Sequence, residues 1–266
     1  MIYGDFGVGK DTFANTFRSP IPGEPDRKLV IFTDGKGGNE FPYFEGATEI
    51  GEIQTYECGE DYFGEPILIE YQDIIKPNDG LTRIEFINSP IPENPYAADI
   101  VKMKFQNYTA EQKTMGWNTL IMSSLSTLSI ESMNLQRHIL NPESPTKKVD
   151  KRQWYGATKE YLTDIFSYHR TIKGNVLYIA HTGLKDDNVS GEIIRQVALP
   201  GSLGTQSGML VGECYRVFVE RDKATKKRKR WLQTDNDGKF SAKSHLKCES
   251  PIEPNYEALW HKWDQL

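Results

Sequence analysis

The chain has 266 residues, enough to bury one large core or two small ones, with a single domain carrying an insertion expected, and with 26% charged against 38% hydrophobic residues it reads as a folded, water-soluble protein rather than a disordered or membrane-embedded one. Its apolar runs fall short of the roughly 20 residues a spanning helix needs, and Cys58, Cys214 and Cys248 are too few and too scattered for a disulfide framework or a zinc site. A net charge of −5 excludes a uniformly basic surface, yet seven cations (Arg221, Lys223, Lys226, Lys227, Arg228, Lys229 and Arg230) fall within one stretch of ten residues.

Met1-Ile2-Tyr3 is a short apolar segment that stops at Gly4, and the spacing of Phe13, Ala14 and Phe17 predicts a helix over 11–18, ended by Ser19-Pro20. Between them Gly4-Asp5-Phe6-Gly7-Val8-Gly9-Lys10 fills the first seven positions of G-x-x-x-x-G-K-[ST], in the strand–loop–helix setting that gives the pattern meaning. Glycines let backbone N–H groups turn inward around phosphates, and the lysine sets a point charge against the β and γ oxygens. ATP is therefore expected on Gly4, Asp5, Phe6, Gly7, Val8, Gly9, Lys10, Asp11 and Thr12. The eighth position departs from the pattern: Asp11 stands where a hydroxyl normally binds Mg²⁺, and Thr12 follows it. An aspartate can also be a hard-oxygen ligand for that ion.

Lys28–Thr33 is a near-continuous apolar run, as in a strand covered on both faces, and it leads into the polar loop Asp34-Gly35-Lys36-Gly37-Gly38. Residues 40–108 are irregular and proline-rich, with β-like stretches at Pro66–Ile75 and Thr82–Ile87, and are expected to be an inserted β-rich segment ending in a helix near Tyr96–Gln106. Thr119–Met122 and Val176–Ala180 are further core strands, separated by the polar loop Asn141–Asp150 and an amphipathic helix over Trp154–Lys173. Thr182–Gly208 is glycine-containing with few periodic apolar positions, which predicts a long mobile loop. Within 211–248, Glu213–Glu220 and Lys229–Thr234 alternate as two strands of a hairpin. Strands alternating with helices give an α/β protein with a mainly parallel sheet.

Taken in order, MIYGDFGVGKDTFANTF, LVIFTDGKGG, WNTLIMSSLSTL, NVLYIAHTGL and the hairpin followed by TDNDGKFSAKSHL resemble the phage-encoded ATP-binding proteins of the RecA-like P-loop class, a family that includes single-strand annealing and recombination ATPases. The resemblance implies a P-loop NTPase domain over 1–266, a mainly parallel sheet flanked by helices, ATP with Mg²⁺, and a place in the host cytosol; the chain opens directly in the motif, with no signal sequence expected. In the family the strand matching Thr119–Met122 ends in a metal-binding aspartate, where this chain has Ser123 and then Ser124. Asp11 and Ser123 together read as an exchange of carboxylate and hydroxyl around the metal, with simple loss of that aspartate as the alternative. Lys36 replaces a glutamate that orients the attacking water, so hydrolysis is expected to be slow or to use another base such as Glu40. Lys10, Asp34 and His181 are the catalytic candidates, His181 standing where the family carries a γ-phosphate sensor.

On the hairpin, Lys226, Lys227, Arg228, Lys229 and Arg230 are expected on the phosphates of single-stranded DNA, with Trp231 or Tyr215 available to stack on bases, against a solvated turn as the plain alternative. The 182–208 loop offers only Lys185 and Arg195 as cations. The leading expectation is an ATP-binding protein of DNA recombination, annealing or replication, acting with copies of itself or with other proteins of those processes and with no membrane partner. One alternative is a deoxynucleoside monophosphate kinase, suggested by Gly9-Lys10-Asp11-Thr12 but short of the arginines of a phosphoryl-clamping lid. Another is a nucleotide-binding structural partner that never turns over.

Overall fold

The computed structural model describes residues 1–35, 40–141, 151–186, 193–223, 225–246 and 248–263. The chain forms two compact units, Met1–Arg18 with Leu177–Leu266, and Ser19–Val176. It enters the first through β1 (Ile2–Gly4), fully buried, and turns through the glycine loop into α1 (Lys10–Asn15). Apolar Phe13 and Ala14 pin this short helix down, and the Thr16 hydroxyl closes it by donating to the Phe13 carbonyl at 2.7 Å.

The second unit holds β2 (Arg27–Phe32), α2 (Phe41–Phe44), β3 (Glu49–Ile50), β4 (Gln54–Glu60), β5 (Pro66–Lys76), β6 (Gly80–Phe86), α3 (Tyr96–Met115), β7 (Thr119–Ser123), α4 (Leu125–Leu140) and α5 (Lys151–Tyr168). Strand β2 lies parallel to both β6 and β7, with Val30 opposite Ile84 and Ile121. The apolar runs of β2 and β7 are buried throughout, as strands covered on both faces must be. Strand β5 pairs antiparallel with β6 and carries β3 and β4, also antiparallel. The β-rich stretch expected as an insertion is thus partly core: β6 takes a full register beside β2, and β3 to β5 extend the sheet from its outer edge. Helices α3, α4 and α5 pack on one another, with Phe105, Tyr108, Leu128, Leu135, Leu162, Ile165 and Phe166 buried along them.

One buried ion pair ties β6 to α3. Lys104 Nζ sits 3.1 Å from the Glu85 carboxylate and 3.6 Å from Glu111, and the Tyr56 hydroxyl donates to Glu85 at 3.3 Å. Burial pushes the Glu85 carboxyl up, with Lys104 opposing. Against the downward pull of its own burial, Glu85 and Tyr56 push the Lys104 ammonium up, so it stays charged.

The chain returns to the first unit along β8 (Asn175–Asp186) and adds β9 (Ile193–Val197), α6 (Leu203–Leu210), β10 (Tyr215–Arg221), β11 (Arg228–Gln233) and α7 (Tyr256–Trp263). Strand β1 runs parallel between β8 and β10, and β11 closes against β10 as the expected hairpin. The stretch 182–208 is not the long loop its composition predicts. Strand β8 continues to Asp186 and pairs with β9 from Thr182↔Val197 to Asp186↔Ile193, and α6 follows. Backbone pairing satisfies this hairpin without apolar alternation, so side-chain pattern could not reveal it. The architecture is α/β with parallel and antiparallel pairing, and none of the described helices is long and apolar enough to cross a membrane.

Candidate functional site

The glycine loop is shaped by three glycines with different duties. Gly7 and Gly9 hold φ of 71° and 95°, left-handed backbone that side chains strain. Gly4 is needed for space: a β-carbon there would fall 2.3 Å from the Val217 carbonyl oxygen of β10 and 2.9 Å from Val8. Val8 is buried and anchors the loop, while Asp5, Phe6 and Gly7 are exposed. Lys10, only 5% exposed, folds its ammonium back into the loop, donating to the Asp5 carbonyl at 2.9 Å and to the Gly4 carbonyl at 3.2 Å. A buried ammonium with two loop carbonyls as partners is a compact positive charge framed by backbone. Asp11 and Thr12, half-buried, follow in the first turn of α1.

His181 stands on β8 opposite Gly4 in register, and its ring lies 6.4 Å from that of Phe6 at an interplanar angle of 26°. Phe6 is 80% exposed, so the stack forms an aromatic shelf at the open side of the loop.

In the second unit the ends of β2 and β7 are knitted together. Thr33 N–H donates to the Ser123 carbonyl at 2.7 Å, while the Thr33 hydroxyl accepts from Ser124 N–H at 3.1 Å and donates to the Ser124 carbonyl at 2.9 Å. Ser124 caps α4, accepting from Thr127 N–H at 3.2 Å, and its hydroxyl donates to Asp34 Oδ1 at 2.7 Å. The Thr127 hydroxyl donates to the same oxygen. Asp34 is therefore a carboxylate held by two hydroxyls at the carboxyl edge of two parallel strands, the edge where open α/β sheets bind ligands. Ser123 itself is buried. Asp11 belongs to the first unit and Ser123 to the second. Among the described residues no group of three or more His, Cys, Asp or Glu side chains is arranged to hold a metal. Lys36 lies outside the described residues, as does most of the polar loop 141–150.

The basic segment is a hydrogen-bonded hairpin turn whose described residues are exposed. Strand β10 runs to Arg221 and β11 begins at Arg228, directly opposite it, leaving the turn to residues between. Asp222 organises that turn: its N–H donates to the Lys227 carbonyl, its carbonyl accepts from Lys226 N–H, both at 2.9 Å, and its carboxylate accepts from Thr225 N–H at 2.6 Å. Strand alternation then splits the cations. Arg221, Arg228 and Arg230 share a face with Val217, Val219 and Leu232, whereas Lys229 projects from the other, covering the Trp231 ring at 3.9 Å. Tyr215 is 4% exposed, with its hydroxyl on Glu213 at 2.8 Å, so it is not offered to a base as its sequence position suggested. Arg230 instead reaches the glycine loop: a β-carbon at Gly9 would lie 2.8 Å from its Nε and 3.0 Å from its Cδ.

The first unit thus joins Gly4–Lys10, Phe6, His181 and Arg230, and the second joins Asp34, Ser123, Ser124 and Thr127. Sequence reasoning missed Ser124 and Thr127 as partners of Asp34, although a serine directly before the apolar positions Leu125 and Leu128 is a helix-start signal. It also missed the direction of Arg230, for which alternation along β11 was the available cue. No family model matches the chain, and no curated protein matches it in sequence.

Proposed function

We propose that this chain is a nucleotide-binding protein of the P-loop type, RecA-like in class, that holds the phosphates of ATP or ADP in the Gly4–Lys10 loop. The observation that carries this reading is the loop itself: left-handed Gly7 and Gly9, a Gly4 with no room for a side chain, and a buried Lys10 ammonium framed by loop carbonyls. A phosphate chain entering the loop exchanges those carbonyls for its own oxygens on the lysine, and adds backbone N–H donors that only a glycine-rich turn can aim inward. Magnesium enters with the phosphates, since this ion keeps several waters and takes few protein ligands. Turnover is slow in this reading, because Asp11, Ser123 and Lys36 stand where hydroxyl, aspartate and glutamate support hydrolysis in the family the sequence resembles.

The exposed cations Lys226, Lys227, Arg228 and Lys229 extend the reading to nucleic acid, with single-stranded DNA as the partner and recombination or replication as the setting. Calorimetric titration with ADP tests the core claim. The parent chain is expected to bind, and Lys10→Ala to lose at least about 100-fold in affinity, as the loss of charge-assisted bonds to two phosphates requires. Equal affinity in the two proteins refutes it.

A further inference from the structure

We infer that Arg230 is a phosphate ligand of the glycine loop, supplied in cis by the strand that also carries the basic turn. The inference rests on the reading of Gly4–Lys10 as a phosphate loop. It assigns to the nucleotide a residue that the sequence groups with the nucleic-acid cations.

The geometry begins with the pairing of β10 and β11. Val219 lies opposite Arg230, and Val217 opposite Leu232. Val217 and Leu232 are fully buried, and Tyr215 of the same face meets Phe13 of α1 edge-on at 6.4 Å between ring centroids. This is therefore the face against which α1 packs, and moving up β11 from Leu232 by one same-face step reaches Arg230 just where the loop enters α1. There its side chain crosses Gly9, close enough that a β-carbon would collide with Nε at 2.8 Å. Gly9 is glycine for its φ of +95°, and the arginine end lies over the face that this leaves bare.

Chemistry favours a phosphate as the partner of this guanidinium. Arg221 and Arg228 oppose one another directly on the same face. Like charges so placed destabilise a strand pair, so this end of the hairpin carries an excess of positive charge. Lys229, alternating to the other face, has its own neighbours, the Trp231 ring at 3.9 Å and Glu253 at 3.9 Å. Arg230 has no carboxylate partner among the ion pairs of the described residues. A planar guanidinium beside a loop of N–H donors and a lysine gives two-pronged recognition of phosphate oxygens, which a lysine cannot supply.

The test is calorimetric titration of ADP and ATP into the parent chain, Arg230→Ala, Arg230→Lys, Lys10→Ala and Lys223→Ala, with a thermal melt of each. Arg230→Ala should weaken ADP roughly 10- to 100-fold, the usual effect of losing hydrogen bonds to a charged group. Arg230→Lys should recover part of that loss. Lys223→Ala removes the same charge from the exposed turn and should stay within about twofold of the parent at physiological salt, where distant exposed charges are screened. Parent affinity in Arg230→Ala alongside lost binding in Lys10→Ala would overturn the inference and leave the nucleotide reading standing. Equal weakening by Arg230→Ala and Lys223→Ala would overturn it too, since the effect would then be net charge rather than contact. A parent chain that binds neither nucleotide sinks both the inference and the reading beneath it.

Discussion

Replacing Lys104 with methionine keeps the apolar stem of the side chain and removes only its charge. What remains is Glu85, its side chain 3% exposed, with the Tyr56 hydroxyl at 3.3 Å as its hydrogen-bond donor. Breaking a buried pair in this way costs about 3–5 kcal/mol, because the surviving charge is left in a low-dielectric site. The loss must depend on pH. Burial already raises the Glu85 carboxyl above its ordinary value of 4.5, and removing Lys104 raises it further. A carboxyl raised in the folded state holds its proton more tightly than the unfolded chain does. The deficit of Lys104→Met is therefore flat up to the parent's own folded value, grows by up to about 1.4 kcal/mol per pH unit between the parent's and the variant's folded values, and is flat above the latter. Urea unfolding followed by circular dichroism at several pH values reads this directly. The double variant Glu85→Leu/Lys104→Met buries no charge at this site and should fall within about 1–2 kcal/mol of the parent. A deficit that is independent of pH, or single losses that simply add in the double variant, would refute the account of a coupled buried pair.

Ser124→Ala removes both the cap of α4 and a donor to Asp34, and should lower the unfolding free energy by about 2–3 kcal/mol in urea titrations; a change below about 0.5 kcal/mol, the level of an ordinary surface substitution, would show that the hydroxyl network is not what holds these strand ends. Replacing Lys226, Lys227, Arg228 and Lys229 together with alanine should flatten the dependence of log K on log salt for single-stranded DNA by up to about 3, four contacts at roughly 0.7 each. Fluorescence anisotropy of labelled oligonucleotides across a salt series measures this, and an unaltered slope returns the turn to a solvated one.

What the sequence made legible follows from the range of the interactions involved. The run Lys28–Thr33 and the segment Thr119–Met122 read as strands because burial on both faces leaves only apolar residues to choose. The glycine loop was readable because it is local, its backbone set by Gly7 and Gly9 within a few residues of Lys10. The hairpin ends were placed to within a few residues by alternation. By contrast, the core role of β6 and the hairpin of β8 with β9 depend on pairing between distant segments. A stretch such as 182–186, polar and interrupted by Gly183, carries no local mark of the strand it becomes. The cluster around Asp34 was hidden for the same reason: Thr33 meets Ser123 and Ser124 across 90 and 91 positions of chain.

That cluster bears on the aspartate that the resemblance leads one to expect at the end of β7. From spacing alone, Ser123 suggested an exchange with Asp11. The register within the second unit gives a counterpart on β2, because Phe32 lies opposite Ser123, and Asp34, two residues beyond Phe32, is bonded to Ser124. The end of β7, which carries serines, therefore sits beside a strand end that has a carboxylate, and the hydroxyls of Ser124 and Thr127 hold that carboxylate in place. A carboxylate fixed by two hydroxyl donors has a defined direction, where one at a free strand end would sample several rotamers. With serine at 123, the carboxylate at this edge of the sheet comes from the end of β2 rather than of β7. Any chemistry that needs a fixed negative group at that edge is to be sought at Asp34.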